Sequence, residues 1–425
     1  MNKLALLFPG QGAQFVGMGQ TLHERYDAVK KVFKQANEVL GYDLRQLCLE
    51  GPAEDLNKTA CTQPALLALG FATYQVYREE IGIEPTLAAG HSLGEITALT
   101  CSGAMAFEDA LRIVHRRGEL MQEAAGWGQG TMAAVIGLDR NVVEDICLEV
   151  SDFDQFVVLS NINSSKQLVI SGHQPALAKA ESLLKDRGAQ VTYLSTSAPF
   201  HSPVMQPAAE ALSAELARIK YSPLQWPVYA NATARPYEDE SQIASLLTRQ
   251  MTAPVPWLEI MQHMQTQGLS AAVDMGPKPI LANLVKHEIP LRVYAIDKEK
   301  EWDELKQHRH AHTLGGRPTT STDPSFLGRC MALAVCTKNE NWDHEAYEEG
   351  VVKPYQRIKK LDEELEQLGL SPSPRHMEEG LLMLRSVMET KKLPAAKQAE
   401  RIAQLLDETR TRPLFPSLLT PIEAG

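Results

Sequence analysis

Five residues, Gly90-His91-Ser92-Leu93-Gly94, set the tightest limit on what this chain can fold into. A short apolar run at 86–89 precedes them, and a helical pattern at 95–101 follows. A serine between two such glycines, at a junction of strand and helix, reads as a nucleophile elbow. The turn is cramped, so glycines are needed where a Cβ would collide. The serine hydroxyl then projects at a helix N-terminus, where free N–H groups and the helix dipole favour an oxyanion. The alternative is a chance pentapeptide in an ordinary turn, which has no reason to fall between a strand and a helix. An elbow of this kind belongs to an α/β domain with a parallel sheet.

The rest of the chain agrees with that class. Residues 3–8 form an apolar strand, too short for a signal-peptide core. Residues 62–80 carry a helical pattern with Pro64 near its start, and 107–125 another. From 131 the rhythm becomes strand 132–138, helix 141–150, strands 156–161 and 167–171, helix 175–187 and strand 190–194. That βαββαβ order predicts a ferredoxin-like subdomain over 131–198, inserted in an α/β domain made of 1–130 and 199–307. Residues 308–325, rich in Gly, Pro, Ser, Thr and His, read as a linker. Beyond it, 326–425 read as an all-helical extension. Ile358, Leu361, Leu365 and Leu368 mark one stripe, Leu381, Leu384 and Met388 a second, and Ile402, Leu405 and Leu406 a third. Ser373-Pro374 predicts a helix start.

The formal charge of −11 opposes binding to nucleic acid, and no apolar stretch approaches the length of a membrane span. Six cysteines without a CxxC pair suggest free thiols in a reducing cytoplasm. His308, His310 and His312 alternate, but no Cys or acidic cluster supports a metal there, so no metal site is expected.

A serine nucleophile needs a base and an oxyanion site. His201, in Ala198-Pro199-Phe200-His201-Ser202-Pro203, is the first choice of base because prolines stiffen its loop. A satisfied loop histidine is the competing reading. His91 adjoins Ser92, but neighbours on a turn usually diverge, so it comes second. Gly10-Gln11-Gly12 follows the first strand, where glycines let backbone approach a ligand and the Gln11 amide offers a second oxyanion donor. Arg117 shares an apolar stripe with Ala110, Val114 and Met121. An arginine so placed either snorkels to water or meets an anion inside.

At this point the residues resemble malonyl-CoA:acyl-carrier-protein transacylases, over about residues 1–300. The carrying motifs are GQGAQ at 10–14, GHSLGE at 90–95, the arginine of HRRGELMQ at 115–122, SNINS at 160–164, FHSPVM at 200–205 and DMGPKPIL at 274–281. The resemblance implies a hydrolase-like α/β domain with a ferredoxin-like insert and a ping-pong reaction through a Ser92 acyl-enzyme. The donor would be malonyl-CoA, the acceptor an acyl carrier protein or the carrier domain of a synthase, and no cofactor would be bound. It implies Ser92 as nucleophile, His201 as base, the backbone amides of Gln11 and Leu93 as the oxyanion hole, and Arg117 as partner of the malonate carboxylate. The Gln250 carbonyl would orient the histidine. Asn161, His91, Phe200 and Met121 would line the substrate pocket. Phe200 and the helical extension bring the chain nearest to free-standing acyltransferases of polyketide or mixed peptide–polyketide synthases.

Two other functions fit parts of the sequence. An acyl hydrolase or esterase would use the same Ser-His site, but no HGGG-type loop occurs, and related hydrolases that clear carriers are expected to lack the arginine at 117. A synthase-docking scaffold would use the helical extension, a role that can coexist with catalysis.

Overall fold

The computed structural model describes residues 3–126, 130–194, 198–313, 326–367, 372–409 and 411–415. The chain divides into two compact units, Met1–Lys306 and Gln307–Gly425.

The first unit is organised by a six-stranded sheet. Its strands are β1 (Leu4–Phe8), β2 (Leu87–Gly90), β7 (Val228–Ala230), β8 (Arg235–Pro236), β9 (Ala271–Asp274) and β10 (Arg292–Ala295), in the order β10-β9-β1-β2-β7-β8. All pairings are parallel except that of β7 with β8. All five residues of β1 are buried. Leu4, Leu6 and Phe8 point into one core, Ala5 and Leu7 into another on the opposite face. A continuous apolar run is therefore required of this strand, because a parallel sheet covered on both faces has no wet side. Helices α1 (Thr59–Glu80), α2 (Leu93–Cys101), α3 (Phe107–Gly126) and α4 (Ile243–Gln250) surround the carboxyl ends of β1 and β2. Ligands of open α/β sheets bind at such carboxyl ends.

A second sheet holds β3 (Gly130–Ile136), β4 (Val157–Ile162), β5 (Gln167–His173) and β6 (Gln190–Tyr193) in the antiparallel order β4-β5-β3-β6. Two helices, Arg140–Val150 and Gln174–Asp186, pack on it around a core of its own. This is the βαββαβ arrangement. Backbone bonds from Val255 N to Ser160 O (2.8 Å) and from Ile162 N to Val255 O (2.9 Å) fasten this sheet to the segment just after Gln250.

Helix α5 (Glu299–Thr313) corrects one boundary. Residues 308–313 were expected to begin a linker on composition alone, yet they continue this helix. The remaining part of the expected linker, 314–325, lies outside the described residues, as does Leu368.

The second unit has α6 (Phe326–Cys336), α7 (Lys353–Gln367), α8 (Pro374–Thr390) and α9 (Ala395–Glu408). Ile358, Leu365, Leu381, Leu384, Met388, Ile402, Leu405 and Leu406 share one core with Phe326 and Leu327. Helical spacing of apolar residues thus becomes a common buried seam. Ser373 accepts a hydrogen bond from His376 N in a capping box that starts α8. Lys391 is buried and donates to Ala334 O (2.9 Å) and Thr337 O (3.0 Å), satisfying carbonyls at the C-terminus of α6.

Candidate active site

Ser92 stands between β2 and α2 with φ 52° and ψ −107°. Such a conformation is costly for a residue with a Cβ, and it persists only where the surroundings enforce it. Both flanking glycines are part of that enforcement. A Cβ on Gly90 would lie 1.9 Å from the Gly94 carbonyl group, and one on Gly94 would lie 1.9 Å from the Phe8 oxygen. The elbow therefore exists only because α2 can press against β1. Asn231, just past β7, clamps it from the side: its Oδ1 accepts from Ser92 N (2.7 Å) and its Nδ2 donates to Gly90 O (2.8 Å).

His201 reaches Ser92 from the loop after Pro199. Its Nε2 lies 2.8 Å from Ser92 Oγ, and its Nδ1 lies 2.8 Å from the carbonyl oxygen of Gln250. A carbonyl can only accept, so Nδ1 carries the proton and Nε2 presents its lone pair to the serine hydroxyl. No carboxylate is needed to set that tautomer. Burial, followed by the Arg117 charge, lowers the His201 pKa to about 3, so the ring is neutral at physiological pH. His91 turns the other way: Asn163 Oδ1 lies 2.8 Å from its Nε2, and the ring stacks obliquely near Trp257. Burial lowers its pKa as well.

Arg117 does not snorkel. It is only 1% exposed, on a stripe of α3 where Ala110, Val114 and Met121 are also buried. Nη1 donates to Gln63 Oε1 (2.8 Å), and Nη2 donates to Gln250 Oε1 (2.9 Å) and Ser92 Oγ (3.1 Å). Its Nε is buried with no partner among the described residues. A buried donor without an acceptor is expensive, typically about 1–3 kcal/mol. The guanidinium is thus pinned by two carboxamides with Nη2 on the serine hydroxyl, while its Nε keeps an unmet donor. Desolvation lowers the Arg117 pKa to about 10, against the pull of Glu95, which leaves it cationic at neutral pH.

The Gly10–Gly12 loop lies against the elbow. A Cβ on Gly10 would come within 2.5 Å of the His91 oxygen, and Gly12 has φ 107°. Gln11 Nε2 is 3.5 Å from Thr59 Oγ1 at the start of α1. Leu93 is the first residue of α2, so its N–H has no acceptor within the helix. Lys278 Nζ donates to Gln14 O (3.0 Å), bracing the same loop from beyond β9. Phe200 is buried beside His201, and Met121 Sδ accepts from Gln63 Nε2 (3.2 Å). Asn161 is buried, with Ser160 Oγ donating to its Oδ1 (2.9 Å). Of the two asparagines in that segment, it is Asn163 that touches a residue next to Ser92.

Sequence reasoning did not single out Asn231, Gln63, Asn163 or Glu95. Two of them gave a signal: Asn163 lies in the SNINS motif, and Glu95 is the one charged residue of Leu93–Cys101, a helix with no wet face for it to occupy.

A strained serine, a neutral histidine held by a carbonyl and a buried arginine on the serine hydroxyl define a serine acyltransferase on an α/β scaffold. The comparisons agree with that class. The acyl transferase domain family matches residues 5–298. A malonyl CoA-acyl carrier protein transacylase of Bacillus subtilis is 34% identical over 403 residues, covering 94% of this chain and 99% of its own length. That coverage leaves too few residues unmatched to omit the helical second unit. The transacylase of the same name from Escherichia coli strain K12 is 42% identical over 287 residues, covering 67% of this chain and 93% of its own. A solved malonyl-transacylase, in complex with its type II PKS acyl-carrier protein, superimposes with a TM-score of 0.70 at 38% identity, covering 72% of this chain and 99% of that one. The chain belongs to the malonyl CoA-acyl carrier protein transacylase family.

Proposed function

We propose that the chain transfers a malonyl group from malonyl-CoA to the phosphopantetheine thiol of an acyl carrier protein, through an ester on Ser92. The observation that carries this reading is Arg117, buried and cationic, with Nη2 on the hydroxyl of the Ser92 that pairs with His201. A cation there suits an acyl group that ends in a carboxylate and offers nothing to a neutral one.

The reaction follows from the geometry. His201 Nε2 removes the Ser92 hydroxyl proton as Oγ adds to the thioester carbonyl. The oxyanion that forms is stabilised by the backbone N–H groups of Gln11 and Leu93. Collapse breaks the C–S bond, and the imidazolium returns its proton to the departing CoA thiolate. The carrier thiol then gives its proton to His201 and attacks the ester, which restores Ser92. Phe200 crowds the pocket and disfavours a methyl branch on the acyl chain. Hydrolysis of the ester is the competing outcome, and Arg117 argues for a carboxylated acyl group held ready for a thiol.

We infer that the second unit aids recognition of the carrier or its synthase in polyketide, mixed peptide–polyketide or fatty acid synthesis. Its separate core and its coverage by the Bacillus subtilis relative support that role. A cytoplasmic location is supported by six free cysteines. The test compares the full chain with one ending at Thr313. Both should be malonylated by free malonyl-CoA at rates within about threefold of each other, while transfer to the native carrier weakens in the shorter chain, mainly through KM. Loss of malonylation in the shorter chain would refute the division of labour.

A further inference from the structure

Glu95 is fully buried behind the elbow, and the reaction described above makes no use of it. Its Oε2 accepts from Gln250 Nε2 (2.8 Å) and from Asn231 N (2.8 Å), and its Oε1 accepts from the Tyr237 hydroxyl. Each partner leads on to the site. Gln250 Nε2 also donates to Ser92 O (3.0 Å), its Oε1 accepts from Arg117, and its backbone carbonyl holds His201. Asn231 holds the Ser92 amide.

The Gln250 carboxamide can in principle sit in two orientations related by a flip. In one, its oxygen meets the Arg117 guanidinium. In the other, two donors face each other in a buried site, which costs both their hydrogen bonds. Two acceptors on the far side select between them, the Ser92 carbonyl oxygen (3.0 Å) and Glu95 Oε2 (2.8 Å), and of these only Glu95 is a side chain. We propose that Glu95 is a positioning residue for acyl selectivity: by accepting from Gln250 Nε2 it locks the carboxamide so that Oε1 holds Arg117 in register for the substrate carboxylate.

The role depends on reach and on an acceptor at Oε2, not on charge. A glutamine at 95 can keep its oxygen at the Oε2 position, toward Gln250 and Asn231, while its amide donates to the Tyr237 oxygen. An aspartate keeps the carboxyl group but retracts it by one methylene, away from Gln250. Because only a carboxylated acyl group pairs with Arg117, the loss falls on malonyl transfer more than on acetyl transfer.

The inference rests on Arg117 being the carboxylate partner, and the experiment separates the two. Ser92 acylation is followed by intact mass with malonyl-CoA and with acetyl-CoA. A wild-type chain without malonyl preference would refute the proposed function itself. Given that preference, Glu95→Asp should lower the malonyl-to-acetyl ratio of kcat/KM by about tenfold or more, as expected when a buried charged hydrogen bond loses its register. Glu95→Gln should keep the ratio within about threefold, since the acceptor toward Gln250 and Asn231 is preserved. A ratio unchanged in Glu95→Asp, or lowered as far in Glu95→Gln, overturns the inference. Should Glu95→Asp fail to fold, Tyr237→Phe, which removes only the hydroxyl holding Oε1, takes its place. Its ratio should fall by at least about twofold, and an unchanged ratio there overturns the inference equally.

Discussion

Replacing Arg117 with alanine probes the site where its energetics are most legible. The guanidinium is 1% exposed and already has three acceptors: Gln63 Oε1, Gln250 Oε1 and Ser92 Oγ. Its removal therefore has two separable effects. The carboxamides of Gln63 and Gln250 lose a donor whether or not a substrate is bound, which slows acylation by any donor. The malonate carboxylate loses a charge-assisted partner, which an acetyl group never had. One such hydrogen bond contributes about 1.5–3 kcal/mol. That range is roughly 10- to 150-fold in kcat/KM. The ratio of malonyl to acetyl rates should fall by this factor in Arg117→Ala, while both absolute rates also decline. Rapid-quench acylation read by intact mass, with each CoA ester, measures it. Equal losses for the two donors would show that Arg117 supports the site without contacting the carboxylate.

The pH dependence of acylation should be unusual for a histidine base. With its pKa lowered to about 3, chiefly by burial, His201 stays unprotonated as pH falls through the ordinary range. The acylation rate at about pH 5.5 should stay within about twofold of its value near neutrality, whereas an unperturbed histidine would be roughly nine-tenths protonated there. A falling limb centred near the ordinary value would contradict the buried, neutral base. Gly94→Ala should both destabilise the protein and abolish acylation. Its Cβ would meet the Phe8 backbone oxygen at 1.9 Å, and backbone cannot rotate aside. A cost of at least about 1–3 kcal/mol is expected in denaturant melts, and an unchanged midpoint would count against the packed elbow.

Much of this site could be read from the chain because its chemistry is local. The elbow is five consecutive residues whose glycines are demanded by contacts of α2 with Gly90 and with β1. Arg117 announced itself by sitting on an apolar stripe, and burial decided between water and an interior partner. The βαββαβ rhythm of the insert followed from alternation that its own core enforces. What could not be read was the network behind the elbow. Asn231 and Gln63 sit on β7's end and on α1, and neither position differs in pattern from its neighbours. They meet Ser92 and Arg117 only through the order of strands in the sheet, which local periodicity does not encode. The start of the expected linker was misplaced for a related reason. Residues 308–313 have the composition of a linker, yet they extend a helix begun at Glu299, and continuation needs no new nucleus.

The central claim is that an acyl group from malonyl-CoA is carried on Ser92. Brief incubation of the full chain with malonyl-CoA, followed by intact mass and peptide mapping, tests it directly. The account predicts an increase of one malonyl group, located on the peptide containing Ser92, removed on addition of a holo acyl carrier protein and lost in Ser92→Ala. A label on another residue, or one that persists in Ser92→Ala, would contradict it.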